Sequence, residues 1–351
     1  MRMEQVMSSR LMNGLRNENV SWRTSAEAVP IIGDLLRRFH ESGAVPVWAV
    51  VYGNTRLMKQ LRPILANAGA WKRWPLMVLH AEGECGGMQM ITLSDGESAC
   101  LHDRGCVVGM TWKDSSGGAR AALCGLTPVG RDPVKASLET MERAADLLDS
   151  AGLAWPDVYR TWYFNERILD WYGDFNETRR DYYARQGMSL DRPPASTGIG
   201  ICNEHNAPLA LGLLAARPGI EPGPVPSPLQ NEPAKYGSYF SRASEETSDG
   251  MRTLWISGTA SINLAGETLY VGDFEAQVLE SYRVVAALLC SRSMAWNDVR
   301  RATVYIREPE DLPHFHRLVD AGVVPDLKAV VIVATVCRES LLFEIELEAS
   351  S

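Results

Sequence analysis

Near the C-terminus three carboxylates fall on alternate positions: Glu344, Glu346 and Glu348 interleave with Phe343, Ile345 and Leu347 in LLFEIELE. Alternation with period two is the signature of a strand, so the three carboxylates share one of its faces. That face is either the wet side of an antiparallel sheet or a place where burial raises a carboxyl pKa until it donates a proton at neutral pH. Cys337 lies just before the turn that feeds the strand. Alone, it reads either as a small buried hydrophobe or as a soft thiol near a reacting group. Arginine and polar aromatics are concentrated in RTWYFNERILDWYGDFNETRRDYY, with Arg160, Tyr163, Trp171, Tyr172, Arg179 and Arg180, and in YGSYFSRAS, with Tyr236, Ser241 and Arg242. The tryptophans are expected in the core and most of the arginines in solvated ion pairs of little worth. An arginine near the start of a β-rich strand, such as Arg160, is different. A packed sheet can aim its guanidinium into a cleft, where it grips a carboxylate through two parallel bonds.

Other chemistries find no support. The seven cysteines, at 85, 100, 106, 124, 202, 290 and 337, include no C-x-x-C pair, so neither a disulfide framework nor a zinc site is expected. The six histidines form no H-E-x-x-H, and His314 and His316 are two apart, off a common helix face. LCGLTPVG and STGIG are glycine-containing turns without the spacing of a dinucleotide or phosphate loop, and no G-x-S-x-G is present. No metal and no cofactor is expected.

The elements that position these residues come from a repeat. VKASLETMERAADLLDSAGLAWPDVYRTWYF (134–164) and FEAQVLESYRVVAALLCSRSMAWNDVRRATVYI (274–306) each read as an amphipathic helix, a turn, A-W-x-D-V and a strand. In the second, Phe274, Val278, Tyr282, Val285 and Leu289 make one apolar stripe behind a plausible N-cap, Asp273. GDFNETRRDYY and EDLPHFHRLVD supply a further helix to each copy, and strands return through STGIGIC and ALGLLAA or AVVIVATVC and LLFEIELE. The expected fold class is α+β, with helices on one side of each sheet. RPGIEPGPVPSPLQNEP, residues 217–233 with six prolines, reads as an extended linker. It divides an N-terminal domain, 1–216 with extra strands at its start, from a C-terminal catalytic domain, 234–351. The site is expected where the copies meet, because pockets form at domain interfaces.

Composition narrows the partners. A net charge of −8 argues against nucleic acid, and no apolar run approaches the ~20 residues that span a bilayer. MRMEQVMSSRLMNGLRNENV has no continuous apolar core of a secretory signal. A cytoplasmic protein with a small-molecule substrate is expected, as a monomer or weak homo-oligomer.

Four separated stretches, RTWYFNERILDWYGDFNETR, PASTGIGI, SPLQNEPAKYGSYFSRAS and ISGTASI, occur in the order found in the chorismatase family, which this chain resembles from about residue 120 onward. The resemblance implies two halves like the small RidA/YjgF proteins, a chorismate-mutase-like arrangement in a pseudo-oligomer. It implies removal of the enolpyruvyl group of chorismate as pyruvate, without metal or cofactor. The family's proton donor falls on Glu344, and Glu346 and Glu348, nearer the strand end, are then expected on a wet face. Since chorismate is a dianion, Arg160, Arg317 and Arg242 are expected to bind it, with Tyr163, Tyr172 and Tyr236 as hydrogen-bonding partners. Two markers, Gly250 and Cys337, match the subfamily that forms 3-hydroxybenzoate within the substrate. The alternatives are the hydrolytic type giving a diol, a 4-hydroxybenzoate former, and a non-catalytic RidA-like binding module. RidA-type deaminases carry an arginine on the penultimate strand; KAVVIVATV has none, which counts against deamination.

Overall fold

A computed structural model describes residues 7–10, 15–94, 96–217, 223–248 and 251–351. Its first unit runs β1 (Met7–Arg10), β2 (Leu15–Trp22), α1 (Ser25–Ser42), β3 (Val45–Gly53), α2 (Thr55–Ala68), β4 (Met77–His80) and β5 (Gly86–Leu93). The second runs β6 (Ser98–Asp103), β7 (Cys106–Lys113), β8 (Ala119–Leu126), α3 (Pro133–Ser150), β9 (Val158–Asn165), α4 (Tyr172–Arg185), β10 (Ala195–Ile199), β11 (Cys202–Asn203) and β12 (Leu209–Arg217). The third runs β13 (Gly223–Val225), β14 (Ala243–Ser248), β15 (Met251–Ala260), α5 (Phe274–Ser291), β16 (Val299–Ile306), α6 (Leu312–Asp320), β17 (Val330–Val333) and β18 (Phe343–Ser350).

The fold is α+β, as expected, but the unit occurs three times. There are three six-stranded sheets among the described residues, ordered β1-β2-β5-β3-β4-β11, β10-β9-β12-β8-β7-β6 and β13-β14-β15-β18-β16-β17. The N-terminal residues, expected only as extra strands, build a complete unit. They lack the sequence tag of the other two because their helix ends differently. Gly43, at φ 67°, turns α1 into β3, whereas the A-W-x-D-V copies use one 3-10 turn before β9 and β16. In that turn Asp157 and Asp298 accept a hydrogen bond from the backbone N–H of Ala154 (2.7 Å) and Ala295 (2.8 Å). Asp273 caps α5 by accepting from Ala276 N–H at 3.0 Å, and the predicted apolar stripe of that helix is buried. The proline-rich stretch is not wholly a linker: Gly223–Val225 pairs with β14 as an edge strand, a position where proline is tolerated.

Each sheet buries one face under its own two helices. The opposite faces meet in one shared core, where Trp48, Trp162, Trp255, Tyr305 and Val330 come together from all three. The edges close a ring: β4 packs on β8, β10 on β15, and β17 on β2 and β5. This ring decides the fate of the last strand. Phe343, Ile345 and Leu347 face the helices, and the carboxylates of Glu344, Glu346 and Glu348 face the other sheets, exposed only 5%, 3% and 0%. The expectation of a wet face for Glu346 and Glu348 is therefore corrected. Alternation reports two different faces, and here neither is solvent.

Candidate active site

Glu344 opens into a pocket between the second and third units, at the seam where β10 meets β15. Tyr172 and Arg179 of α4 and Ser196 and Gly198 of β10 form one wall. Gly258 of β15 and the loop residues Tyr236, Arg242, Cys337 and Arg338 form the other. Glu344 pairs with Ala260 in the β15–β18 ladder, just past a bulge between Ile256 and Thr259 that contains Gly258. A Cβ on Gly258 would lie 1.9 Å from Glu344 Oε1, so only glycine leaves room for the carboxyl. Two clefts elsewhere are roomier, about 540 and 550 Å3. The free space here, about 40 Å3, is far below the ~300–1,000 Å3 of ordinary ligand pockets. Converging chemistry, not size, marks this pocket.

The electrostatics suit a proton donor. Burial first, and then the charge of Glu346, push the Glu344 pKa up to about 8, so its carboxyl holds a proton at neutral pH. Glu346 is fixed from below. Arg160 Nη2 and the Thr197 hydroxyl donate to its Oε2. Trp162 Nε1 donates to the same oxygen at 2.9 Å, and the Tyr305 hydroxyl donates to Oε1 at 3.2 Å. These four donors hold the carboxylate in one place. Farther along β18, Glu348 accepts from Asn17 Nδ2 at 2.9 Å, and burial raises its pKa to about 7. It lies away from the pocket.

Three guanidinium groups reach the pocket, and none is ion-paired to a carboxylate among the described residues. Arg179 donates to Asn176 Oδ1 (2.7 Å) and Ser196 Oγ (3.3 Å). Arg242 donates to the Asn231 carbonyl (2.6 Å) and the Tyr236 hydroxyl (2.8 Å). Arg338 donates to the Gly266 carbonyl and lies over the Tyr236 ring at 5.4 Å. Cys337 is half-buried, and burial pushes its thiol up to about 12. It stays a neutral thiol, facing Tyr172 and Glu344.

The structure brings together Glu344, Cys337, Arg242, Tyr172 and Tyr236 among the residues singled out from sequence. Arg160 lies beneath the pocket, 2% exposed and ion-paired to Glu346. Tyr163 faces the opposite side of β9, under the helices, where its hydroxyl meets that of Tyr183 at 3.0 Å. Arg317 is exposed on the amphipathic helix α6, whose buried face is carried by Phe315 and Leu318; it does not line the pocket. Gly250 lies outside the described residues. Arg338 and Gly258 were not singled out, and Arg179 was named only within its arginine-rich stretch, without a role toward substrate. Arg338 is the neighbour of Cys337, and Gly258 lies within ISGTASI, so each adjoined a marked position.

No family model matches the chain. A 3-hydroxybenzoate synthase of Streptomyces hygroscopicus is 32% identical over 248 residues, covering 62% of this chain and 70% of that protein. The crystal structure of a chorismatase superposes with a TM-score of 0.67 and 21% identity, over 87% of this chain and 93% of that one. An L-PSP-type protein of Entamoeba histolytica matches 37% of this chain and 99% of its own, at TM-score 0.31 and 18% identity.

Proposed function

From the premise that this chain belongs to the chorismatase family, we propose that it converts chorismate to 3-hydroxybenzoate and pyruvate. The observation that carries the reading is Glu344, a buried carboxyl protonated at neutral pH beside Arg179, Arg242 and Arg338. Chorismate brings two carboxylates, which the guanidinium groups bind and orient. The Glu344 carboxyl donates its proton to the methylene carbon of the enol ether, leaving an oxocarbenium at the ether carbon, and the enolpyruvyl group departs as pyruvate. The ring C3–O bond breaks as the C4 hydroxyl oxygen attacks C3 and gives up its proton, so pyruvate leaves with the ether oxygen as its carbonyl. The resulting epoxide opens at C4, its oxygen stays on C3 and takes up a proton, and loss of the C3 hydrogen makes the ring aromatic and restores the glutamic acid directly or through solvent. The atoms balance: chorismate has the composition of 3-hydroxybenzoic acid plus pyruvic acid, and no water is consumed. The diol route takes up one water, so exclusion of water selects between the two. Cys337 and Tyr172 wall the pocket beside Glu344 and serve that exclusion. The charge of Glu346 helps to keep the Glu344 carboxyl protonated, while Arg160 anchors Glu346 and its own charge opposes that shift.

Glu344→Gln tests the reading. It lowers kcat by about 10²–10⁴-fold, the usual worth of a positioned general acid, and leaves chorismate binding within a few fold. Unchanged turnover would remove Glu344 from the reaction and return the chain to a binding role. The enzyme is read as a cytoplasmic monomer, since the threefold ring that would otherwise require separate copies is closed within one chain. No described helix is long and apolar enough to cross a membrane.

A further inference from the structure

The three units share one register, so a position in one sheet can be transferred to the next. Glu344 lies opposite Tyr305 on β16, and Ala210 lies opposite Phe164 on β9. The bulges that follow, at Val299/Arg301 and Leu214/Ala215, fall at matching places, so Ala210 holds the position of Glu344. Leu211 pairs with Leu126 and Glu344 pairs with Ala260, which places Gly125 at the position of Gly258. Helices α2 and α4 are both 14 residues long, starting at Thr55 and Tyr172, so Arg62 falls where Arg179 does. On the parallel edge strands Tyr52 pairs with Leu79 and Phe164 with Ile199, so Val78 matches Gly198.

These matching residues, Arg62, Val78, Gly125 and Ala210, line one cleft of about 550 Å3 between the first and second units. It is a second copy of the active-site seam, with the proton donor replaced by a methyl group and the helix arginine kept. Its charge is still tuned. Arg62, Arg104 and Arg131 line it against Asp103 and Glu204. Arg62 pairs with Glu204 and lies 4.8 Å over the Trp71 ring. Arg131 bonds to backbone carbonyls, those of His205 and Asn206, and to no carboxylate among the described residues. The cleft thus presents an excess cation and an indole face in a chain of net charge −8, which suits a small aromatic monoanion. At the third seam the matching position is Gly87, and Val330 occupies the space a side chain there would need.

We propose that this cleft is a second, non-catalytic binding site for an aryl monocarboxylate. It lets the enzyme hold a molecule of the class of its product away from Glu344. The inference rests on the proposed reaction only in the choice of probe. Cys106 lines the cleft and is exposed, while Cys290, also exposed, lies on α5 outside it. The wild-type protein is alkylated with iodoacetamide, with and without 3-hydroxybenzoate, and each cysteine peptide is followed by mass spectrometry. Cys106 is expected to react at least 5-fold more slowly with ligand present, and Cys290 at its former rate. Arg131→Glu should remove the protection of Cys106 and leave pyruvate release from chorismate within 2-fold. Equal Cys106 rates with and without the acid would overturn the proposal, as would protection that survives Arg131→Glu. Because alkylation needs no turnover, protection in a chain that releases no pyruvate would sink the reaction and spare the site.

Discussion

At the scale of single residues, the account rests on one carboxyl kept protonated by its surroundings. The folded-state pKa of Glu344 is raised, so the acid form predominates below about pH 8. The limb of kcat/KM controlled by this group is therefore flat below that value and falls as pH rises through it. The Glu346 charge is the second cause of the shift, so Glu346→Gln moves the limb to lower pH, a change that simple loss of folded protein does not produce. The stability linkage has the same sign. A carboxyl bound more tightly to its proton in the folded state stabilises most at low pH and loses that contribution as pH rises toward 8. Glu344→Gln should accordingly raise Tm at pH 9 relative to wild type and leave it nearly unchanged at pH 5. The ligand cations make a sharper contrast. Arg338→Ala and Arg179→Ala should each raise KM for chorismate about 10-fold or more, in line with ~1.5–3 kcal/mol for a hydrogen bond to a charged group, and Arg317→Ala should leave kinetics unchanged. The sequence marked Glu344 and Cys337 through motif position. It named Arg160 and Arg317, which the structure places beneath and away from the pocket lining, because which guanidinium reaches a pocket depends on how two sheets are juxtaposed, and no spacing within one strand encodes that.

At the scale of elements, β18 shows why alternation was read correctly and its environment was not. Period two fixed the partition into Phe343, Ile345, Leu347 and Glu344, Glu346, Glu348. What covers Glu346 is β9 and β10 of the preceding unit, through Arg160, Trp162 and Thr197, and what meets Glu348 is Asn17 on β2 of the first unit. Gly258 is the point of closest approach on β15. Gly258→Ala forces a methyl against the Glu344 carboxyl, and activity should fall at least 10-fold while circular dichroism keeps its native form. Rescue of activity in that variant by Glu344→Asp, a shorter acid, would support the steric cause. The A-W-x-D-V turns were legible because tryptophan and aspartate are both needed there. The equivalent turn of the first unit uses Gly43, which carries no comparable tag, and that unit went unrecognised.

At the scale of the molecule, the shared core couples the three units. Trp162 lies 4.9 Å from Trp48 and 6.3 Å from Trp255, and the Arg301 guanidinium is within 4.8–5.5 Å of all three rings. Trp162→Ala should cost about 3–5 kcal/mol, and calorimetry should show one unfolding transition in both proteins, since no unit keeps a full core alone. Two transitions would mean that the units fold independently. One chain can thus differentiate positions that a symmetric trimer must keep identical, with Glu344 at one seam and Ala210 at the next. The test that bears most directly on the central claim is the simplest. Purified protein is incubated with chorismate, and pyruvate and the aromatic acid are quantified together. The account predicts pyruvate and 3-hydroxybenzoate in equal amounts; a diol acid in place of the aromatic product, or no pyruvate, would contradict it.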